Sequence, residues 1–554
     1  MFGHRAAPLV PPSSAPPYPH PLPVREPLVA HATPSALAQL EHIGKQRTKE
    51  IRAGTELRMT VGADEDLFLK AHSRIPDTFA TAEIFGMELV MGHEYRVDRG
   101  LHVAIFTWHG CTIEMRGATS VEYDASNQVM RDYTNIAGIM EQKRQLATEQ
   151  AAMPPPRILI TGSEHSGKST LALFLSNYAL RKHRRPICVE LDPGSLSCHR
   201  QLPSIPGSVS AIQVDHSAYE LNQEPVHPHR TNLHKGIDQG SIAAHLNPNY
   251  PIGKSIGFWY GYEDWRRDPE LFRKCIGQLS CLVQAKEEMN NAQVASEKVN
   301  ANAVSGDGIN YENLAKGGLI VNAPSNPTPE LIDEIISLYN INVVIVIEDD
   351  DKYMHLINRY CGGVVPTVPT RGDDGIVRGA TRDPLVFLDA MEEDEGEAGQ
   401  LDVVHVAKAG GVIENTTPEW RNRMLHMKMA DYFHGPDRDL VCHNFAIPLR
   451  ELFVVKIESV NTTSEDQTWN NKFKVVPYDD IPGKLRHSVL AIVLAPSLEE
   501  IVFSTISGLV WVRDVSDPED VLNAHLHLMC PSATPMMSNY LVYGDLDNLK
   551  YFEQ

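Results

Sequence analysis

The 554-residue chain has little of what several protein classes require. Its eight cysteines include no Cys-x-x-Cys pair. That spacing excludes the usual zinc signatures and fits reduced thiols inside a cell. No stretch approaches the roughly 18 apolar residues of a membrane span, and no basic segment followed by an apolar run opens the chain. Basic residues are also short, with 50 Lys and Arg against 71 Asp and Glu and a formal net charge of −21. A general nucleic-acid coat needs concentrated Lys and Arg, so the acidity points instead to protein partners, with a local basic groove still open. The expectation is a soluble protein of nucleus or cytosol without membrane contact. Its length suits about three or four domains.

Against that background one stretch carries chemistry: Arg157-Ile-Leu-Ile-Thr-Gly-Ser-Glu-His-Ser-Gly-Lys-Ser-Thr170. A short apolar run reads as a buried strand, Gly162-Ser163-Glu164-His165-Ser166-Gly167 as a turn, and Lys168-Ser169-Thr170 as the start of an apolar helix. This is the Gly-x-x-x-x-Gly-Lys-Ser pattern of a phosphate-binding loop. Glycines let backbone N–H groups approach phosphate oxygens, and a helix N-terminus adds partial positive charge. Lys168 can reach the β- and γ-phosphates, and Ser169 can hold Mg²⁺. A chance match lacks the flanking strand and helix, so the context assigns nucleotide binding. It does not assign turnover.

The rest of the chain falls into segments. Residues 1–48 are rich in Pro, Ala, Ser and His and read as a disordered tail. Residues 49–130 show strand-sized runs, among them Glu56–Val61, Ala82–Val90, His102–Trp108 and Thr112–Arg116, and read as a β-sandwich. A helical linker covers 131–153 and ends at Pro154-Pro-Pro156. The segment 154–437 reads as α/β, with further apolar strands at Pro186–Asp192, Gly318–Asn322, Ile341–Ile347 and Asp402–Ala407, suited to a parallel sheet covered on both faces. Within it, about 362–400 reads as a solvated acidic insertion. Residues 438–554 form a separate β-rich domain. Asp192, at a strand end thirty residues beyond the loop, is either a Mg²⁺-side carboxylate or an ordinary turn aspartate. Trp259, Tyr260 and Trp265 either stack bases or fill a core or a protein interface, and the density of aromatics favours the second. His109 reads as a packed, hydrogen-bonded histidine rather than a base.

Several segments occur in a telling order: Thr55-Glu-Leu-Arg58, Ala82-Glu-Ile-Phe-Gly86, Phe106-Thr-Trp-His-Gly-Cys111, the loop, Val189-Glu-Leu-Asp192, Ser204-Ile-Pro-Gly207, Lys408-Ala-Gly-Gly-Val412 and Asp431-Tyr-Phe-His-Gly435. From about residue 50 onward the chain resembles the eukaryotic Clp-family subunit of the pre-mRNA cleavage and polyadenylation machinery. The resemblance implies a β-sandwich, a P-loop domain and a small α/β C-terminal domain, with bound ATP and Mg²⁺. It places Glu56 and His102 at the adenine end; the family usually has a basic residue at the second position. It also implies nuclear work beside a large scaffold subunit that binds the RNA polymerase II tail, other 3′-end processing subunits and, in some members, RNA.

Members of that family divide into RNA 5′-hydroxyl kinases and non-catalytic assembly subunits. Kinase-type members carry an aspartate where this chain has His165, a Thr-rich clasp where it has Gly257–Phe272, and an early lid arginine near Asn415 that is missing here. Arg421 and Arg423 remain. Phosphoryl transfer depends on positioning and charge neutralisation, so these departures favour ATP held as a structural ligand over turnover. If the chain were active, Asp192, Lys168 and Arg421 would be the catalytic groups.

Overall fold

The computed structural model describes residues 46–546, apart from 63–64, 75–78, 98, 126–128, 151, 196–204, 215–254, 300–314, 363–367, 372–376, 382–400, 410–416, 435–440, 459–471, 478–480, 482–484, 517–522 and 532–537. Its centre is a seven-stranded sheet in the order Ser255–Trp259, Ser208–Gln213, Ile187–Glu190, Leu319–Asn322, Arg157–Gly162, Val343–Ile347 and Asp402–Val406. Five strands are parallel, as the apolar runs predict. The first two of the order are antiparallel, so the sheet is mixed rather than parallel. Antiparallel neighbours need no crossover helix, and the serine-containing Ser-Val-Ser-Ala-Ile-Gln run lacks the continuous apolar signal that marks the other strands.

Side chains alternate across this sheet, and both faces are buried. Leu159, Val189, Val321, Val344 and Val403 pack on one face with the helices Pro269–Val299 and Pro329–Leu338 and with the C-terminal sheet. Ile158, Cys188, Ile320, Ile345 and Val404 pack on the other with the helices Val129–Glu149 and Lys168–Arg181 and with the N-terminal sandwich. Burial of both faces explains why these strands read as unbroken apolar runs. Thr328 caps the helix Pro329–Leu338 by accepting from the Leu331 N–H, with proline at the first helical position.

The N-terminal sandwich pairs a four-stranded sheet with a five-stranded one. Its first strand, Arg47–Ile51, starts inside the segment read as tail. Ala82–Val90 is not one strand. It folds back as a tight hairpin of Glu83–Ile84 and Met87–Glu88, turning through Phe85 and Gly86, both at positive φ. The buried Glu83 carboxylate accepts from Tyr178 and Arg181 of the helix behind the phosphate loop, tying sandwich to helix.

The C-terminal sheet has seven strands, antiparallel except for Phe453–Ile457 beside Tyr540–Tyr543. One face joins the core shared with the central sheet; the other closes a smaller core around Leu490, Val510 and Leu528. Part of the presumed acidic insertion is an antiparallel hairpin, Val368–Arg371 with Val377–Thr381. The acidic run Glu392–Glu397 and residues 1–45 lie outside the described residues. No described helix is long and apolar enough to cross a membrane.

Candidate functional site

The loop Gly162–Gly167 leaves the C-terminal end of the central strand Arg157–Gly162 and enters the helix Lys168–Arg181, at the edge where open α/β sheets bind ligands. Gly162 is required here. A Cβ at this position would lie 2.6 Å from the Ile347 carbonyl oxygen and 3.0 Å from Ser166 Oγ, on a backbone at positive φ. His165 also sits at positive φ, in the left-handed region that Asn, Asp and His tolerate best. Its imidazole lies 3.5 Å from the Glu164 carboxylate. Glu164 is exposed at the loop's crest, and Thr170 follows Ser169 in the first helical turn.

Lys168 is buried and donates to the Ser163 carbonyl at 2.8 Å and to the Gly162 carbonyl at 3.5 Å. Burial lowers its pKa, opposed by the charges of Asp192, Glu190 and Glu164. Asp192 lies two residues past the strand Ile187–Glu190, which is separated from the loop's strand by Leu319–Asn322, and it accepts from Ser325 Oγ at 2.5 Å and from the Gly194 N–H. Burial raises its pKa. Asp192 is half-buried, and its charge acts on the Lys168 ammonium.

Sequence reasoning passed over the groups beneath. Glu190 is fully buried, and burial together with the Asp192 charge pushes it up to about 8. Asn322 donates from Nδ2 to both Glu190 oxygens at 2.9 Å and to Ser169 Oγ at 3.0 Å. The available signal was a polar residue inside or ending an otherwise apolar strand, Val-Glu-Leu-Asp and Leu-Ile-Val-Asn. Ser166 Oγ, Thr161 Oγ1 and Asn322 Oδ1 are buried with no hydrogen-bond partner among the described residues. Unsatisfied polar atoms around a glycine cradle and a buried lysine fit a polyanion and its cation. No group of three or more metal-ligating side chains occurs among the described residues. Mg²⁺ is normally held by one or two protein oxygens plus phosphates. Ser169 and Asp192 would hold it, and it would neutralise phosphate charge.

Glu56 and His102 lie on one face of the sandwich's five-stranded sheet but do not meet. Thr60 pairs with His102 four residues along the strand from Glu56. Glu56 is buried and bonded to Arg58 at 3.2 Å. Tyr133, whose own titration feels Glu56 and Arg58, brings its hydroxyl within 3.9 Å of where a Gly167 Cβ would sit. Glu56, Arg58 and Tyr133 thus stand beside the loop. His102 is bonded to Thr60 Oγ1 at 2.9 Å and stacked on Trp420, with ring centroids 5.3 Å apart.

Trp420 belongs to the helix Pro418–His434, which reaches several parts of the site. Arg421 donates to the Glu263 carboxylate at 2.8 Å, and Lys428 donates to the Ser195 carbonyl beyond Asp192 at 2.6 Å. Glu263 lies in the segment Gly257–Phe272. The aromatics of that segment are core: Trp259, Tyr260 and Trp265 are buried, and Tyr260 donates to the Trp265 carbonyl at 2.8 Å. His109 is hydrogen-bonded to Thr81 and edges Phe79, but it is exposed rather than packed. Residues 410–412 of the Lys-Ala-Gly-Gly-Val motif, and Asn415, lie outside the described residues.

Burial pushes His102 down to about 4, against about 6.5 in an unfolded chain. The unfolded state therefore binds more protons between those values. The stability contribution is complete above about 6.5 and is lost as pH falls towards 4. His102→Gln is expected to flatten the Tm-against-pH curve across that window; an unchanged slope would contradict it.

Strand, loop, helix and facing carboxylate define a P-loop nucleotide-binding protein. Two family models match the chain: the N-terminal beta-sandwich domain of polyadenylation factor over residues 50–147, and the mRNA cleavage and polyadenylation factor CLP1 P-loop over residues 162–379. The chain is 25% identical over 507 residues to "Protein CLP1 homolog" of Nematostella vectensis, covering 90% of this chain and 95% of that one. It is 25% identical over 515 residues to "Polyribonucleotide 5'-hydroxyl-kinase Clp1" of Homo sapiens, covering 91% and 96%. Among solved structures, a wild-type Clp1p–Pcf11p complex matches with a TM-score of 0.63 and 17% identity, covering 91% of this chain and 98% of that one. A second Pcf11p–Clp1p structure, concerned with their extended interface and with ATP loss in a point mutant, matches with a TM-score of 0.64 and 16% identity, with the same coverage. The chain belongs to the Clp1 family of mRNA cleavage and polyadenylation factors.

Proposed function

We propose that this chain is an ATP-binding assembly subunit of the nuclear mRNA 3′-end cleavage and polyadenylation complex, holding ATP and Mg²⁺ without efficient turnover. The observation that carries the reading is Arg421. The lid cation that would neutralise a transferring phosphoryl group is bound to Glu263, in the segment that replaces the clasp. The groups that grip nucleotide, Lys168 and Ser169, are in place, whereas His165 replaces the loop carboxylate. Phosphoryl transfer requires cations on the moving group and a carboxylate on the attacking hydroxyl. A site that keeps its grip while its lid cation is paired elsewhere suits retention. The Pcf11p complexes of the structural relatives support a large scaffold subunit as partner. That subunit would also bind the RNA polymerase II tail, with other 3′-end processing subunits and RNA within reach.

A second reading is an RNA 5′-hydroxyl kinase, as the curated relative from Homo sapiens is named, with service in tRNA splicing. It is favoured by the half-buried Asp192, whose charge acts on Lys168. Nucleotide analysis of freshly purified protein, followed by labelled ATP and a 5′-hydroxyl RNA, separates the two. Intact ATP and unlabelled RNA are expected. Labelled RNA would put the kinase first, and bound ADP would indicate hydrolysis.

A further inference from the structure

We infer that Asn322 is the positioning residue of the magnesium site: it fixes the Ser169 hydroxyl and offers its own carbonyl oxygen to the cation's hydration shell. The inference rests on the reading that the loop holds ATP with Mg²⁺.

Asn322 ends the strand Leu319–Asn322, in register with Ile160 on one side and Glu190 on the other. It is 1% exposed. Its amide nitrogen has two hydrogens. One is shared by the two Glu190 oxygens, each at 2.9 Å, and the other goes to Ser169 Oγ at 3.0 Å. The Glu190 carboxyl thereby sets the orientation of the amide, and the amide occupies one lone pair of Ser169. The remaining lone pair is left for the cation, and the serine proton must point elsewhere. This is how an outer group aims a metal ligand, and loss of such a group typically weakens metal binding about 10- to 100-fold.

The same orientation leaves Asn322 Oδ1 buried with no donor among the described residues. A buried acceptor without a donor is costly unless something supplies one. Mg²⁺ sheds water reluctantly and keeps several bound molecules, each a donor. The unpartnered oxygen beside the metal-binding serine is the place for one of them. A residue that merely braced Glu190 would need only its nitrogen.

The test is ATP affinity of the full chain, first stripped of nucleotide, by titration calorimetry in Mg²⁺ and in EDTA. Asn322→Ala is expected to reduce the Mg²⁺ enhancement of affinity about tenfold while changing affinity in EDTA less than twofold. Combined with Ser169→Ala, it should add little, because both act on one ligand. Asn322→Ser keeps a donor for Glu190, guards against failure to fold, and should lose the enhancement as well. An enhancement retained in the serine variant, or equal losses in Mg²⁺ and EDTA, would overturn the inference. A wild-type protein that binds no ATP in either condition would remove the nucleotide reading and this inference with it. Wild-type binding with an unaffected variant would remove only this inference.

Discussion

Lys168→Ala is expected to purify without nucleotide and to melt roughly 5–10 °C below the wild type when both are taken directly from cells. The two states of the site respond in opposite ways. Without nucleotide, the Lys168 ammonium is buried against the Ser163 carbonyl and its pKa is held down by burial, so it contributes little and its truncation costs little. With nucleotide, it would be the loop's cation toward the phosphates, and truncation would remove the main electrostatic grip. A ligand that binds only the folded state stabilises it by about 2.7 kcal/mol at a hundredfold excess over Kd and about 4 kcal/mol at a thousandfold excess. The difference should therefore vanish once wild type is stripped of nucleotide and return when ATP is added. Equal nucleotide content and equal Tm before stripping would sink the structural-ATP reading.

What could be read from the chain in advance follows from the range of the physics involved. The loop was legible because its requirements are local: a glycine where Ile347 crowds the backbone, a lysine and serine at the helix start, and a strand before them. The parallel strands were legible because burial on both faces leaves continuous apolar runs. The antiparallel strands Ser208–Gln213 and Ser255–Trp259 were not, because Ser208 and Ser210 in one and Ser255 and Gly257 in the other interrupt the apolar run of strands whose pairing is settled by tertiary contacts. The hairpin at Phe85–Gly86 was hidden inside an apolar run. The site was legible one residue at a time and illegible as an assembly. Asn322 lies more than 150 residues from Ser169. Trp420 reaches His102 only because the helix Pro418–His434 returns to the sandwich. Such meetings depend on topology, which no local pattern states.

Lys472→Met should cost about 3–5 kcal/mol, the range for breaking a buried ion pair, and lower Tm by on the order of 10 °C. Lys472 comes from the C-terminal part of the chain. Its amino group lies 2.7 and 2.8 Å from the two Asp268 oxygens and 3.3 Å from Glu270. Lys472 and Asp268 are both almost wholly buried. Asp268 also accepts from the Leu271 N–H at the start of the helix Pro269–Val299, and its own N–H donates to Tyr260. Removing the lysine leaves that carboxylate desolvated and partly uncompensated. Asp268→Asn in the Lys472→Met background keeps an acceptor for Leu271 without the charge, and it should recover most of the loss. Chemical denaturation of the single and double variants measures this directly; a single-variant loss below about 1 kcal/mol would mean that water reaches the pair. The consequence extends to the nucleotide. Asp268 lies five residues from Glu263, the partner of Arg421, and Gly261 packs so closely on Gly544 that a Cβ on Gly544 would sit 1.8 Å from the Gly261 carbonyl oxygen. The C-terminal sheet therefore braces the segment that holds Arg421 through Glu263. Lys472→Met is expected to release bound nucleotide faster than wild type at a temperature where both remain folded.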